Sequence, residues 1–395
     1  MQYDPSGLLC VDVVDTRAAL DHLRLDWLRL EVASALDLPF QTWEWTAAWW
    51  THLRADHPGV RDHLRVLTVR TPSHALVGIA PLVLTERPAS GPLRARYLQL
   101  IGPDPNITEI RTGLYAPLFE QACQRALSAY LSQRSSEWDW LMWEDRDATP
   151  DDDTSRHGLS KGHSAYVLTL PTTWQEMRAS LHRNLKESLR KCYNSLKRDG
   201  LSYRLEVVDK PGSFSLALDD FYRLHSARAR LEGVPPHSDM FETPHARAFL
   251  HDICQRLAQR GACRVFRLWI DDRVVATRIG FELSGVQYLY YSGWDPAYAR
   301  YSVMTTLVAE IVRDSIRRGL RAVHLSTGSD VSKTRWGPRC YRYTTRVEVA
   351  PRASAHLLHF AYRAASRART IDLARALVPG GLLRQPSGIV AVTRG

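Results

Sequence analysis

Five small groups of residues in this sequence have types and spacings that could do chemistry. The segment FYRLHSARAR carries His225, Arg228 and Arg230 on one helical stretch. The ordinary pKa range of histidine suits His225 to act as a general base towards an ammonium nucleophile, and a structural helix histidine is the alternative. Tyr290 and Tyr291 lie in a strand-type run. Tyr291 is a candidate proton donor to a departing thiolate, and core packing is the other use of the pair. The segment DPNITEIR gathers Asn106, Glu109 and Arg111 in an otherwise apolar neighbourhood. These three are candidate contacts to an acceptor substrate; a turn closed by a salt bridge would use the same residues. No Ser/His/Asp or Cys/His pattern is evident, so no covalent enzyme intermediate is called for. The chemistry these groups support is direct attack of a neutral amine on an activated carbonyl. Proximity accelerates that step, and backbone N–H groups hold the developing oxyanion.

Two further segments suit anions. Asp295 to Thr305 leads into a helix N-terminus, where unpaired N–H groups and the positive end of the dipole favour a phosphate. Arg300 adds charge there, Tyr301 and Ser302 add hydroxyls, and Val303 opens the helix. Met177 to Lys197 reads as one helix with Met177, Leu181, Leu185, Leu189, Cys192 and Leu196 on its apolar side. Arg183, Lys186, Arg190 and Lys197 fall opposite, with Glu187 as the one acid among them. That face suits a phosphate-rich partner or plain solvent.

The elements that must position these groups repeat. Leu64–Arg70 and Leu76–Thr85 read as an antiparallel hairpin, as do Cys263–Ile270 and Val274–Leu283. Tyr97–Gly102 then matches Tyr288–Gly293; a helix follows (Pro117–Arg134; Val303–Arg318), and a strand closes each unit (Trp138–Glu144; Ala322–Ser326). The copies lie about 195 residues apart, far above the roughly 20–50-residue period of a solenoid, so the spacing indicates domain duplication. The acidic stretch Asp145–Gly162 separates the units as a loop or linker, and Ala353–Leu377 reads as a helix in a separate tail. Trp43, Trp45, Trp49 and Trp50 read as core between the two units.

The 395 residues suggest about two domains. The six cysteines include no C-x-x-C pair and the 15 histidines no H-E-x-x-H, so the expectation is reduced thiols and no metal. No apolar run approaches the roughly 20 residues of a membrane helix, and residues 1–10 show no signal-peptide pattern; a cytoplasmic location is expected. The charge of +10 favours anionic partners: nucleotide cofactors, tRNA, nucleotide-sugars or anionic lipid.

Several segments resemble the FemAB/CelD-like branch of the GNAT acyltransferases. They are Phe40–Trp50 (FQTWEWTAAWW), Gly78–Leu82 (GIAPL), the basic helix Asn184–Lys191 (NLKESLRK) and Lys333–Gly337 (KTRWG). The resemblance spans roughly residues 38–338. It implies an α/β fold (α+β mixed sheet) of two tandem GNAT-like domains with a helical C-terminal tail. The expected division is residues 1–162, residues 163–350 including the basic helix 176–198, and a basic tail 351–395. It also implies that Lys333 lies at the catalytic cleft, stabilising the tetrahedral intermediate or an acceptor phosphate. Arg335 is assigned with Arg300 to Val303 to the donor, and Arg183 and Trp336 with the 106–111 group to the acceptor. The implied donor is acyl-CoA or an acyl carrier protein thioester, with aminoacyl-tRNA as the alternative. The implied acceptor is an amine on a small molecule, sugar or cell-envelope precursor. DNA is not an expected partner. A peripheral, non-catalytic polysaccharide-assembly role, with residues 353–377 against lipid, is the remaining alternative. Family members carry a glycine-containing turn before the main helix; here Ala299–Met304 (ARYSVM) has none.

Overall fold

The computed structural model describes residues 9–104, 106–146, 162–231 and 238–376, with side chains through Ser366. In chain order its helices are α1 (Arg17–His22), α2 (Arg24–Ala33), α3 (Trp43–His52), α4 (Glu120–Gln133), α5 (Trp174–Ser180), α6 (Arg183–Arg198), α7 (Phe214–Ala229), α8 (Pro244–Ala258), α9 (Val303–Arg317), α10 (Val331–Thr334) and α11 (Ala353–Ala376). The strands of the first half are β1 (Cys10–Val14), β2 (Asp56–His57), β3 (Val60–Arg70), β4 (Leu76–Arg87), β5 (Ala95–Leu100), β6 (Leu114–Tyr115) and β7 (Trp140–Arg146). Those of the second are β8 (Gly162–Thr169), β9 (Tyr203–Val208), β10 (Cys263–Ile270), β11 (Arg273–Leu283), β12 (Val286–Trp294), β13 (Ala322–Thr327) and β14 (Arg339–Val349).

Both expected units are present. β1-β3-β4-β5 with α4 and β7 matches β9-β10-β11-β12 with α9 and β13, in the same order and with the same directions. In each, the one parallel pair follows the crossover helix, as a strand–helix–strand connection requires.

The units do not close separately. The strands join in one sheet, β1-β3-β4-β5-β7-β14-β8-β13-β12-β11-β10-β9. β8 follows the first unit in the chain but pairs with β13 of the second, from Ala322↔Thr169. β14 follows the second unit but pairs with β7 of the first, from Tyr343↔Arg146 to Val349↔Trp140, and with β8 on its other edge. Each unit therefore lends its partner a strand. Sequence reading found no strand in 339–349, because Tyr343 alone of that segment is fully buried and charged residues interrupt the alternation. The tail helix α11 packs on the first unit, where Tyr362 lies 5.1 Å from Trp140 and 5.7 Å from Tyr97. Of the expected linker, residues 147–161 lie outside the described residues, as does the tail beyond Ala376.

The expected single helix from Met177 to Lys197 is two. Leu181 is extended (φ −65°, ψ 144°) and separates α5 from α6. The break turns Met177, Leu181, Leu185 and Leu189 into one core beneath α9.

Residues Trp43 to Trp50 of α3 are buried on every side, as a helix apolar all round must be. Thr42 caps it, accepting from the Trp45 backbone N–H at 3.1 Å. Trp45 packs edge-on against Phe249 (5.1 Å), Phe281 (6.0 Å) and Tyr290 (5.7 Å) of the second unit. The tryptophans are thus core between the units, as read from the sequence. At the rim of this contact Arg260 is clamped by Glu31 and Glu44, each at 2.7 Å.

Candidate active site

The same tryptophans place a loop. Trp49 Nε1 donates to Asp104 Oδ2 at 3.0 Å and Trp45 Nε1 to Thr108 Oγ1 at 3.1 Å. Asp104 also accepts from the Thr108 hydroxyl (2.8 Å) and from the backbone N–H groups of Asn106 and Thr108. Gly102 precedes the loop at φ 103°, and a Cβ there would stand 2.4 Å from Thr108. A side chain at this position would force the loop apart. From the second unit, Tyr290 donates to the Ile107 carbonyl (2.5 Å) and Tyr291 to that of Asn106 (3.0 Å). Held from both sides, the loop projects Glu109 into the second unit.

It arrives where the second unit's part of the sheet opens. β12 and β13 pair only at Val286↔Ala322, Gln287↔Val323 and Tyr288↔His324, although both strands continue. Between Arg278↔Ser292 and Gly280↔Leu289, β12 advances three residues against two on β11, a bulge at Tyr290–Tyr291. A bulge re-aims side chains and backbone N–H groups out of the ladder. Across the opening Ser326 adopts φ 69°, a left-handed conformation rare for serine, and turns its hydroxyl to Glu109.

Glu109 thus accepts from Tyr288 (2.5 Å) and from Ser326 (2.8 and 2.9 Å). Burial pushes its pKa up, against the lowering effect of the two hydroxyls, Lys333 and Arg278. The Ser326 backbone N–H donates to His324 Nδ1 (3.1 Å), and burial holds His324 down to about 3, so it is neutral. Lys333 donates to the Thr327 carbonyl and lies 3.2 Å from Asp330; burial lowers its pKa, partly offset by Asp330. Glu109 also lines a polar cavity of about 270 Å³ with Asp104, Asn106, Thr108, Arg111 and Glu144.

Asn106, Glu109, Tyr291 and Lys333 therefore converge on this opening. Tyr291 both donates to and accepts from Asn106, and burial pushes its pKa up, so it keeps its proton. Arg111 is nearby, but its backbone N–H and guanidinium are engaged by Glu144.

His225 takes a different place from the one expected of a base. It is 0% exposed, packed 5.5 Å from the Tyr291 ring, and its Nδ1 pairs with the Ser292 carbonyl at 2.9 Å. Burial lowers its pKa. It sits behind the bulge and supports it, with no access to an acceptor.

The donor residues also divide. Ser302 (φ 51°, ψ 47°) makes the left-handed turn before α9 without a glycine, which costs roughly 1–2 kcal/mol. Tyr301 and Val303 are buried core residues, not surface contacts. Arg300 is exposed and pairs with Asp199 at 3.4 Å. Arg335 reaches Thr305 Oγ1 in the first turn of α9 (2.7 Å), and its Nε is buried without a hydrogen-bond partner. Trp336 is buried beneath it, a core anchor rather than a substrate contact. Arg183 is far more exposed, pairs with Glu187 at 2.8 Å on α6 and lies outside the opening. Sequence reading did not single out Tyr288, Ser326 or Arg278. Arg278 had a usable signal, a charge within the apolar run VVATRIGF.

Residues 183–343 match the family described as Acetyltransferase (GNAT) domain. FemX has the same fold over 80% of this chain and 95% of its own, at 9% identity and a TM-score of 0.50. A tandem GNAT protein from the clavulanic acid biosynthesis pathway is also similar (11% identity, 88% and 100% covered, TM-score 0.46). So is the C-terminal domain of a putative lysylphosphatidylglycerol synthetase from Agrobacterium fabrum (10% identity, 86% and 96% covered, TM-score 0.45). No curated protein sequence matches the chain significantly. The match makes the second unit a GNAT acetyltransferase domain, the domain of an N-acyltransferase. Over most of its length the chain shares the fold of FemX, with two GNAT-like units in tandem.

Proposed function

We propose that the enzyme transfers an acyl group from acyl-CoA, or an acyl carrier protein thioester, to an amine by direct attack, with Glu109 accepting the proton. The observation that carries this reading is a half-buried carboxylate, hydrogen-bonded by Tyr288 and Ser326, delivered by one unit to the split strands of the other. A carboxyl with a raised pKa is a better proton acceptor near neutrality than an ordinary one. The thioester supplies the activated carbonyl. The bulge at Tyr290–Tyr291 takes backbone N–H groups out of the ladder, and such groups suit an oxyanion. This reading assigns the proton for the leaving thiolate to Tyr291, which burial keeps protonated, or to Lys333.

The first turn of α9 suits the donor's phosphates. A cation beside a helix N-terminus is unfavourable by about 0.3–1 kcal/mol, and an anion between them reverses the sign. Arg335, with its unpartnered Nε, stands there. Arg335→Gln is expected to raise the KM for acetyl-CoA about tenfold and leave kcat within about threefold. An unchanged KM would remove Arg335 from the donor site.

Aminoacyl-tRNA is the second reading. It is supported by the exposed cations Arg183, Lys186, Arg190, Lys191 and Lys197 on α6, which packs beside α9. Transfer that survives RNase treatment and ignores charge reversal on α6 would decide for a thioester donor. The domain division proposed is residues 1–162, 163–350 and 351–395, with β8 and β14 shared between the first two. A cytoplasmic setting fits this chemistry; no helix among the described residues is long and apolar enough to cross a membrane. Lipid contact through α11 is the weaker reading, because Tyr362 holds the helix on the first unit. Leu357 and Phe360 remain exposed on it.

A further inference from the structure

Arg278 lies within β11, opposite Ser292, and is half-buried. Its Nη2 donates to the Leu289 carbonyl at 3.2 Å, and its Nε is buried without a partner. Arg228, from the last turn of α7, approaches the same strand, with Nη1 3.5 Å from Ser292 Oγ. Among the described residues neither guanidinium has a carboxylate within 4.0 Å. The acids nearby are already engaged: Glu109 by Tyr288 and Ser326, Asp330 by Ser332 and Lys333. Desolvation, with Arg228 adding to it, brings Arg278 down to about 10. Two like charges close together, one of them desolvated and holding a buried unpartnered Nε, are unfavourable unless something anionic joins them.

We propose that Arg278 and Arg228 clamp an oxyanion of the acceptor, so that the amine acylated carries a carboxylate or phosphate close to it. This rests on the acyl-transfer reading above and narrows its acceptor. Glu109 lies within electrostatic reach of Arg278. An acceptor with its amine at Glu109 and its anion at the guanidiniums spans the opening from one unit's side to the other. The planar fork of arginine binds either oxyanion through two parallel hydrogen bonds, which lysine does not reproduce. The clamp is separate from Arg335, which faces the helix end proposed for the donor.

The test uses the full chain, acetyl-CoA as donor, and acceptor pairs differing only in the anion: glycine against glycinamide, and phosphoethanolamine against ethanolamine. The wild type is expected to prefer one or both anionic members by about tenfold or more in kcat/KM. The pair with the larger ratio identifies carboxylate or phosphate. In Arg278→Gln and Arg228→Gln the ratio is expected to fall towards one, through KM, and Arg278→Lys to restore it only in part. A wild-type ratio near one, a ratio unchanged in the variants, or an equal kcat loss for both members of a pair would overturn the clamp. Thermal stabilisation by sodium acetate or inorganic phosphate at fixed ionic strength, in an Arg335→Gln background, reads the clamp without catalysis. It is expected to be lost on adding Arg278→Gln, and its persistence would count against the clamp. Absence of transfer to every acceptor, with Arg278-dependent stabilisation intact, would instead remove the acyl-transfer reading.

Discussion

Glu109→Gln is expected to lower kcat/KM for acyl transfer by about 10²–10⁴-fold, the range for a lost general base. The loss belongs in kcat. Glutamine fills the same volume and can still accept from Tyr288 or Ser326, so the loop keeps its anchors at Asp104, Ile107 and Asn106. Stability should move the other way. A carboxyl whose folded pKa is raised binds its proton more tightly in the native than in the unfolded state. Its contribution to stability is therefore greatest below the unfolded pKa and falls as pH rises towards the folded one. At neutral pH the buried charge costs stability, and Glu109→Gln should unfold at the same or a higher denaturant concentration than the wild type. In the wild type, kcat should rise with pH along a limb set above the ordinary carboxylate range, and that limb should be absent from the variant. An active Glu109→Gln enzyme with an unchanged pH profile would sink the assignment.

Arg260→Ala is expected to destabilise the protein by about 3–5 kcal/mol, because it strands two buried carboxylates. Glu31 and Glu44 are 3% and 0% exposed, and both depend on the one guanidinium at 2.7 Å; Arg24 stands 3.6 Å from Glu44 at the rim. Glu31 also accepts from the Trp43 backbone N–H at 3.0 Å. Losing Arg260 therefore loosens the start of α3 and, through Trp45 and Trp49, the loop that carries Glu109. Burial already raises Glu31 against the pull of Arg260. Without the cation its folded pKa rises further, so the native variant binds a proton that the unfolded chain releases. The deficit should then shrink as pH falls from about 8 to 5. Adding Glu31→Gln and Glu44→Gln should recover much of the loss. Denaturant titrations of the variants across that pH range read both effects. A deficit that does not change with pH would show that the carboxylates are not what the arginine holds.

The repeated units were legible because they are local. Each hairpin and each crossover helix follows from residues a few positions apart, with apolar periods that name strand or helix. The neighbourhood of Asn106, Glu109 and Arg111 was legible too, as polar residues set in an apolar stretch. Its function was not, because what makes Glu109 a base is burial between Tyr288 and Ser326, which lie 179 and 217 residues away. His225 illustrates the converse. Its residue type suits a base, but packing against Phe221, Phe241 and Tyr291 seals it from substrate.

By itself, the order of residues determined two copies of a strand-rich unit, a tryptophan cluster that must be buried, and a surface rich in cations. Periodicity and composition carry that information without any partner. The exchange of β8 and β14 was decided only on folding, as was the meeting of Glu109 with Ser326. The isolation of Arg278 and Arg228 from any carboxylate among the described residues was decided there as well. Strand pairing and desolvation are properties of pairs distant in the chain, and no local pattern records them.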